Sequence, residues 1–308
     1  GGDCPQATAL RSDITGADTE LPSYLQRMVR YCLTGVTSAH ALFFLYGTGA
    51  NGKSVFANVV ATILGDYACT APMDTFVETR GDRHPTDLAG LRGARFVTAI
   101  ETEQGRRWNE SKVKAITGGD KISARFMRQD FFEFYPHFKP VIVGNHKPAI
   151  RNIDEAMKRR MHLIPFTVTI PPDRRDPRLT EKLLAERDGI LAWAVAGCLA
   201  WQREGLKPPA SVLAATEEYF EAEDAIGQWI EERCLLANTH REGVSELFSD
   251  WREWAERAGE YVGSVKRFSE LMATRKFEKC RLTGGARGIA GISLRPKPYS
   301  HAYPYRDD

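Results

Sequence analysis

Residues 42–54 read LFFLYGTGANGKS, an apolar run that stops at Gly47 and turns into a glycine-rich loop. Gly47, four residues, then Gly52, Lys53 and Ser54 match the P-loop pattern, in which backbone N–H groups ring the oxygens of a polyphosphate. Gly47, Gly49 and Gly52, spaced by Thr48, Ala50 and Asn51, let the backbone approach that ligand closely. Lys53 is placed to reach the β and γ phosphates of ATP, and Ser54 to offer its hydroxyl to Mg²⁺. From Val55 the sequence VFANVVATIL is helix-like, so a positive helix end points at the same phosphates. A strand before the glycines and an amphipathic helix after them supply the context that a chance match lacks.

The chain has 308 residues, enough for about two domains. Its boundaries read as an N-terminal helical segment at 1–35, an ATPase domain at 36–205 and a C-terminal helical domain at 206–308. No apolar stretch reaches the roughly 20 residues that span a bilayer, and no signal peptide precedes the first domain, so an intracellular protein without a membrane partner is expected. The chain opens on Gly1-Gly2 without Met, which reads as a processed or excised piece with domains upstream. The six cysteines show no metal-binding spacing and are expected to be reduced. A net charge of +2 announces no polyanion partner, but residues 264–297 carry nine basic against two acidic side chains, a local positive field.

Taken in order, residues 1–19 are polar and lack periodicity, and residues 21–35 form a short helix that is either a packing element or part of a collar in a ring-forming ATPase. A charged loop covers 79–84. A second strand, 95–100, ends in Glu101-Thr102-Glu103, where P-loop enzymes keep a Mg²⁺-organising acid and a base for water; two solvated glutamates are the alternative. Residues 109–118 look helical. Two β-rich arms, 121–126 and 132–135, then flank a polar tip and carry Lys121, Arg125 and Arg128. This is a finger for a phosphate backbone, with Phe126 or Phe131 free to stack, or else an ordinary surface hairpin. A third strand, 139–144, ends at Asn145, whose amide could hold a water or γ-phosphate or begin a turn. Arg159 and Arg160 precede a strand at 161–166 and are either solvated or suited to reach a neighbour's phosphate. His162, beside apolar positions, reads as packing.

In that order GTGANGKS, ETEQG, TGGDKISARFMRQDFFEFYP, VIVGNHKP and RRMHLIPF resemble the superfamily 3 helicases. They are most similar to the C-terminal halves of phage and plasmid primase-helicases, a group that includes the poxvirus primase-helicase. The match covers roughly residues 20–300. It implies an α/β, AAA+-like P-loop ATPase with a central, mostly parallel sheet. By resemblance residues 47–54 are Walker A and Glu101 and Glu103 share the Walker B role. Asn145 is the sensor, the hairpin is the DNA-tracking loop, and Arg159 or Arg160 is a finger inserted into the next subunit. Thr102 separates acids that are adjacent in tumour-virus relatives, which leaves their division of labour open.

Beyond these motifs, 179–201 reads as one long helix, 205–209 as a linker, 212–234 as one or two helices with Leu213, Tyr219, Phe220, Ile226, Trp229 and Ile230 in the core, and 244–258 as another helix. A basic helix at 265–276 with Lys266 and Arg267, and a hairpin at 280–294 with Arg287, resemble the winged-helix tail of the same phage proteins. The implied function is an ATP-driven hexameric DNA helicase that uses Mg²⁺, moves on single-stranded DNA from 3′ to 5′ and unwinds fork DNA. It would act in the cytoplasm of a bacterial host, with a primase-polymerase upstream. A small-molecule P-loop kinase, or an origin-binding ATPase switch without processive unwinding, is the alternative.

Overall fold

The computed structural model describes residues 4–79, 86–101, 103, 105–150, 153–196 and 198–296, with backbone alone at 198–200 and 274. Most of the charged loop at 79–84, Thr102 and Lys297 lie outside the described residues. The chain divides into two compact units, 1–223 and 224–308.

The first unit runs α1 (Pro5–Thr15), α2 (Leu21–Leu33), β1 (Leu42–Tyr46), α3 (Lys53–Leu64), β2 (Ala68–Thr70), α4 (Thr86–Ala89), β3 (Phe96–Glu101), α5 (Glu110–Gly118), β4 (Ile122–Ala124) and β5 (Phe132–Phe134). It continues with β6 (Lys139–Gly144), α6 (Glu155–Lys158), β7 (Met161–Pro165), α7 (Leu179–Ala185), α8 (Arg187–Ala196), α9 (Cys198–Glu204) and α10 (Ala210–Ala222). Five strands form a parallel sheet in the order β2-β3-β6-β1-β7. A parallel pair needs a crossover, and helices on both faces bury its strands, which is why β1 is apolar throughout. Side chains alternate across the sheet. Leu42 and Phe44 enter one core with Ala99, Ile142 and Tyr219, while Phe43 and Leu45 enter the other with Tyr24, Phe56 and Ile164.

Residues 1–35 do not stand apart as a domain. Tyr24, Leu25, Met28 and Val29 of α2 are buried in the core that holds Phe43, and the Tyr24 hydroxyl meets His162 Nδ1 at 2.8 Å. Ahead of it, α1 is a helix where no periodicity shows, because only Leu10, Ile14 and Thr15 of its residues are buried. Pro5 suits its first turn, and the carboxylate of Glu186 accepts the N–H groups of Gln6 at 3.0 Å and Ala7 at 2.9 Å.

The first unit ends at Glu223 and not at 205, because Ala215, Tyr219 and Phe220 of α10 pack into the sheet's core. Leu213 points the other way and is exposed. The expected linker is a tied-down turn: Leu206 is buried, and the Arg27 guanidinium donates to the carbonyls of Leu206 at 2.9 Å and Lys207 at 3.0 Å. Instead of one long helix, 179–201 holds α7, α8 and the start of α9.

The second unit comprises α11 (Ala225–Arg233), β8 (Cys234–Gly243), α12 (Val244–Ala258), α13 (Val265–Thr274), β9 (Glu278–Arg281) and β10 (Arg287–Leu294). Its antiparallel sheet has the order β8-β10-β9. Trp229 is fully buried, edge-on to Trp251 and Phe268, and its indole N–H donates to Asp250 at 2.9 Å. The sequence hid β8. Only Cys234 and Gly243 of the strand are buried, so no alternation marks it.

Candidate active site and nucleic-acid interface

The glycine-rich loop follows β1 and leads into α3, and its shape is forced by contacts. A Cβ on Gly47 would collide with the Asn51 side chain and the Phe166 carbonyl. Gly49 and Gly52 have φ of 108° and 78°, and Ala50 adopts a left-handed 49°, a region that side-chain-bearing residues rarely enter. Buried Asn51 donates from Nδ2 to Phe166 O at 2.8 Å, and Ile170 N–H donates to Ala50 O at 2.8 Å. No side chain caps α3, so its first amide groups are directed at whatever the loop holds.

Gly49 through Lys53 line a cleft of about 490 Å³ together with Ser54, Val55, Ile100, Glu101, Val143, Gly144, Asn145 and His146. The fold thus brings Gly49, Ala50, Asn51, Gly52, Lys53, Ser54, Val55, Glu101 and Asn145 to one place. Gly47 shapes the loop from behind, and Thr48 is exposed beside it. The Lys53 ammonium, nearly buried, donates to Gly47 O at 3.1 Å and Asn51 Oδ1 at 3.3 Å. Desolvation lowers its pKa below the ordinary lysine value, yet the ammonium form still suits a phosphate.

Glu101, at the end of β3, is 5% exposed. Its Oε1 accepts the Glu103 N–H at 2.6 Å, and its Oε2 has no hydrogen-bond partner. A buried carboxylate oxygen left unpaired is costly. A divalent cation would complete it, and exposed Ser54 on the same cleft offers a second oxygen. The residues therefore fit Mg²⁺, which is typically held by one or two protein groups plus substrate phosphates.

Glu103 is not gathered in. It is exposed and pairs with Arg106 at 2.6 Å, and Arg106 pairs in turn with Asp74. The hydrogen bonds to Asp74 and Glu103 raise the Arg106 pKa. No motif signalled Arg106, because Asp74 is 32 residues upstream. The two arginines also separate. Arg160 is 7% exposed and donates to Thr117 Oγ1 at 3.0 Å and Ala156 O at 2.7 Å, whereas Arg159 is exposed. Neither lines the cleft of its own chain. His162 packs as expected, and burial pushes its imidazole down to about 4.

Strands β4 and β5 form the expected hairpin. Arg128 stands exposed in its turn with φ of 60°. Arg125 lies 4.7 Å over the Phe131 ring, and Lys121 pairs with Glu133 at 2.9 Å. Phe126, Met127 and Phe131 are exposed around the tip. In the second unit Lys266 and Arg287 line one groove of about 1040 Å³ between α13 and the β9–β10 hairpin. Lys279 and Arg281, not singled out from the sequence as contacts, join them there with Glu246 and Glu270. Arg267 is not on that groove's lining and sits 5.0 Å over the Tyr261 ring.

Three comparisons bear on this arrangement. Residues 45–160, from the glycine-rich loop to the arginine pair, match a model described as a family of unknown function, DUF5906. Over 275 residues the chain is 26% identical to "Putative helicase L207/L206" of Acanthamoeba polyphaga mimivirus, covering 82% of this chain and 28% of that protein. Over 248 residues it is 28% identical to "Putative helicase 022R" of Frog virus 3, covering 73% of this chain and 25% of that one. The chain is a relative of viral proteins named as helicases and primases. A primase among these relatives, "Putative primase C962R" of African swine fever virus, is 22% identical over 242 residues, 71% of this chain and 25% of the primase. The resemblance to primase-helicases read from the motifs therefore holds. The chain spans 28% or less of the length of these three relatives. Among solved structures, the C-terminal region of NrS-1 superposes with a TM-score of 0.56 at 9% identity, covering 93% of this chain and 75% of that one, which is a likeness of fold. Among the described residues no helix is long and apolar enough to cross a membrane.

Proposed function

We propose that this chain is the motor part of an ATP-driven replicative DNA helicase of superfamily 3. The observation that carries the proposal is the cleft where Lys53, Ser54, Asn145 and the unpaired Oε2 of Glu101 meet. Lys53 and the loop amides bind the phosphates of ATP, and the first turn of α3 adds its positive end. Ser54 and Glu101 would hold Mg²⁺, which would neutralise charge on the transferred phosphoryl group. The Asn145 amide orients water. Glu103, which lies outside the cleft and is paired with Arg106, would have to leave that pair and turn into the cleft to accept the proton of that water.

Arg159 is the finger that reaches the next subunit's phosphate, since it is exposed while the Arg160 guanidinium is engaged within its own chain. The ring is a hexamer, and the β4–β5 hairpin with Lys121, Arg125 and Arg128 tracks single-stranded DNA through it, from 3′ to 5′ by family resemblance. The helix-strand-helix-helix-strand-strand order of the second unit, with β10 between β8 and β9, supports a winged helix that holds fork DNA through Lys266, Arg267 and Arg287. The whole protein carries a primase-polymerase upstream and serves a phage or plasmid genome in the cytoplasm of a bacterial host.

ATP hydrolysis measured with and without single-stranded DNA, alongside mass in solution, tests the proposal. DNA-stimulated turnover by an assembly of about six chains is expected, as phosphate-site fingers act across subunits. Hydrolysis indifferent to DNA, or phosphorylation of a small molecule, contradicts it.

A further inference from the structure

The glycine-rich loop is shaped on one side by residues 166–170, through Phe166 O and Ile170 N–H. Its other side is covered by α1, a helix with no P-loop motif of its own. Gly52 has φ of 78°, and the place of its absent Cβ lies 2.6 Å from Ile14 Cγ2 and 3.3 Å from Leu10 Cδ1. Both side chains are buried, in the core that also takes Phe56 of α3. Eleven residues make a helix only marginally stable by itself, so α1 stays in place through its surroundings. Glu186 caps its first turn, and Asp13 pairs with Arg174 at 2.6 Å. That pair is largely exposed and adds little; the apolar contact at Gly52 is the part that touches the loop.

We infer that Ile14 and Leu10 are positioning residues for the phosphate loop. They occupy the space above Gly52 and so keep the left-handed turn from relaxing, which fixes the direction of the loop amides before a polyphosphate arrives. Preorganised donors bind without reorganising, and small misplacements of such groups are expensive. The inference rests on the nucleotide reading of the cleft, and it adds that a segment outside every motif sets the affinity.

The test is a graded series read by ATP binding, steady-state kinetics and amide exchange at residues 48–54. Ile14→Ala is expected to weaken ATP binding and raise KM about tenfold while kcat stays within about twofold, because the loop is loosened and no reacting group is removed. Ile14→Val, which keeps most of the contact, falls between wild type and Ile14→Ala. Exchange at 48–54 without nucleotide is faster in Ile14→Ala than in wild type. Should Ile14→Ala not fold, Leu10→Ala, at the looser contact, is expected to shift Kd about threefold in the same direction. An Ile14→Ala or Leu10→Ala protein that is less stable yet binds ATP with wild-type Kd and unchanged loop exchange overturns the inference. Wild-type protein that binds no ATP overturns the nucleotide reading and this inference with it.

Discussion

The cleft at the glycine-rich loop and the β4–β5 hairpin treat charge in opposite ways. In the cleft Lys53 and Glu101 are nearly buried. The partners of Lys53 are loop carbonyl oxygens, while one oxygen of Glu101 has no hydrogen bond. On the hairpin, Lys121 and Arg128 are exposed, and Lys121 already has a carboxylate beside it. Desolvation makes each buried charge strong and dependent on position, while water weakens each exposed one. The cleft should therefore fail when one group is removed. The hairpin should lose function in increments that depend on salt.

The largest effect tests the cleft. Lys53→Ala is expected to lower ATP turnover about 10³-fold or more, as loss of a preorganised charge at a phosphoryl-transfer site does. Folding and binding of duplex DNA by the second unit should stay near wild type. Turnover within tenfold of wild type, with contamination excluded, would break the contrast between the two regions.

The next effect separates two neighbouring arginines. Arg159→Ala should cost about 10³ in turnover with little loss of stability. Mixed into rings with Lys53→Ala chains, it should regain activity, because an intact loop then meets an intact finger. Arg160→Ala should instead destabilise the fold by about 1–3 kcal/mol, as removal of a buried hydrogen-bonding group does. The reverse pattern, in turnover and thermal melting, would exchange the two assignments.

A third prediction concerns the core under the cleft. Burial depresses the folded pKa of His162 to about 4, from about 6.5 for a free imidazole, so the fold keeps a neutral imidazole. Its contribution is complete above about pH 6.5 and is lost as pH falls towards 4, because the unfolded chain takes the proton first; the total is about 3 kcal/mol. His162→Gln, which keeps a polar partner for Tyr24, should flatten that part of the stability curve in denaturant titrations. An unchanged slope between pH 6.5 and 4 would remove His162 as its source.

The smallest effect falls on the hairpin. Arg128→Ala should weaken single-stranded DNA binding several-fold at low salt and reduce the slope of log K against log salt by about 0.7, while basal ATPase persists. A slope equal to wild type would return the hairpin to an ordinary surface turn.

The same contrast explains what was legible in the sequence. The shape of the glycine-rich loop is written locally, in Gly47 through Ser54, and strands buried on both faces, such as β1, are continuous apolar runs. Exposed hairpin charges are also visible, since nothing must fold to reveal them. The remainder depends on distant partners. Arg159 and Arg160 are identical on the page, and the burial of Arg160 with its bonds to Thr117 and Ala156 tells them apart. Glu101 and Glu103 diverge because Asp74 anchors the arginine that holds Glu103. Helix α1 was missed because its first turn is capped by Glu186, 180 residues away from Gln6. The unit boundary reads as 205–209 because Gly205 and the prolines there look like a linker, whereas Leu206 is buried and Tyr219 and Phe220 of α10 pack into the first unit's core.

The account turns on the unpaired oxygen of Glu101, and the metal dependence of ATP binding tests it most directly. Wild-type protein should bind ATP more tightly with Mg²⁺ than without, and Mn²⁺ added with ATP should give the spin-resonance signature of a protein-bound ion. Glu101→Gln should retain metal-free ATP binding through Lys53 and the loop amides but lose the gain from Mg²⁺ and the bound-Mn²⁺ signal. A Glu101→Gln protein with the wild-type metal dependence would contradict the account.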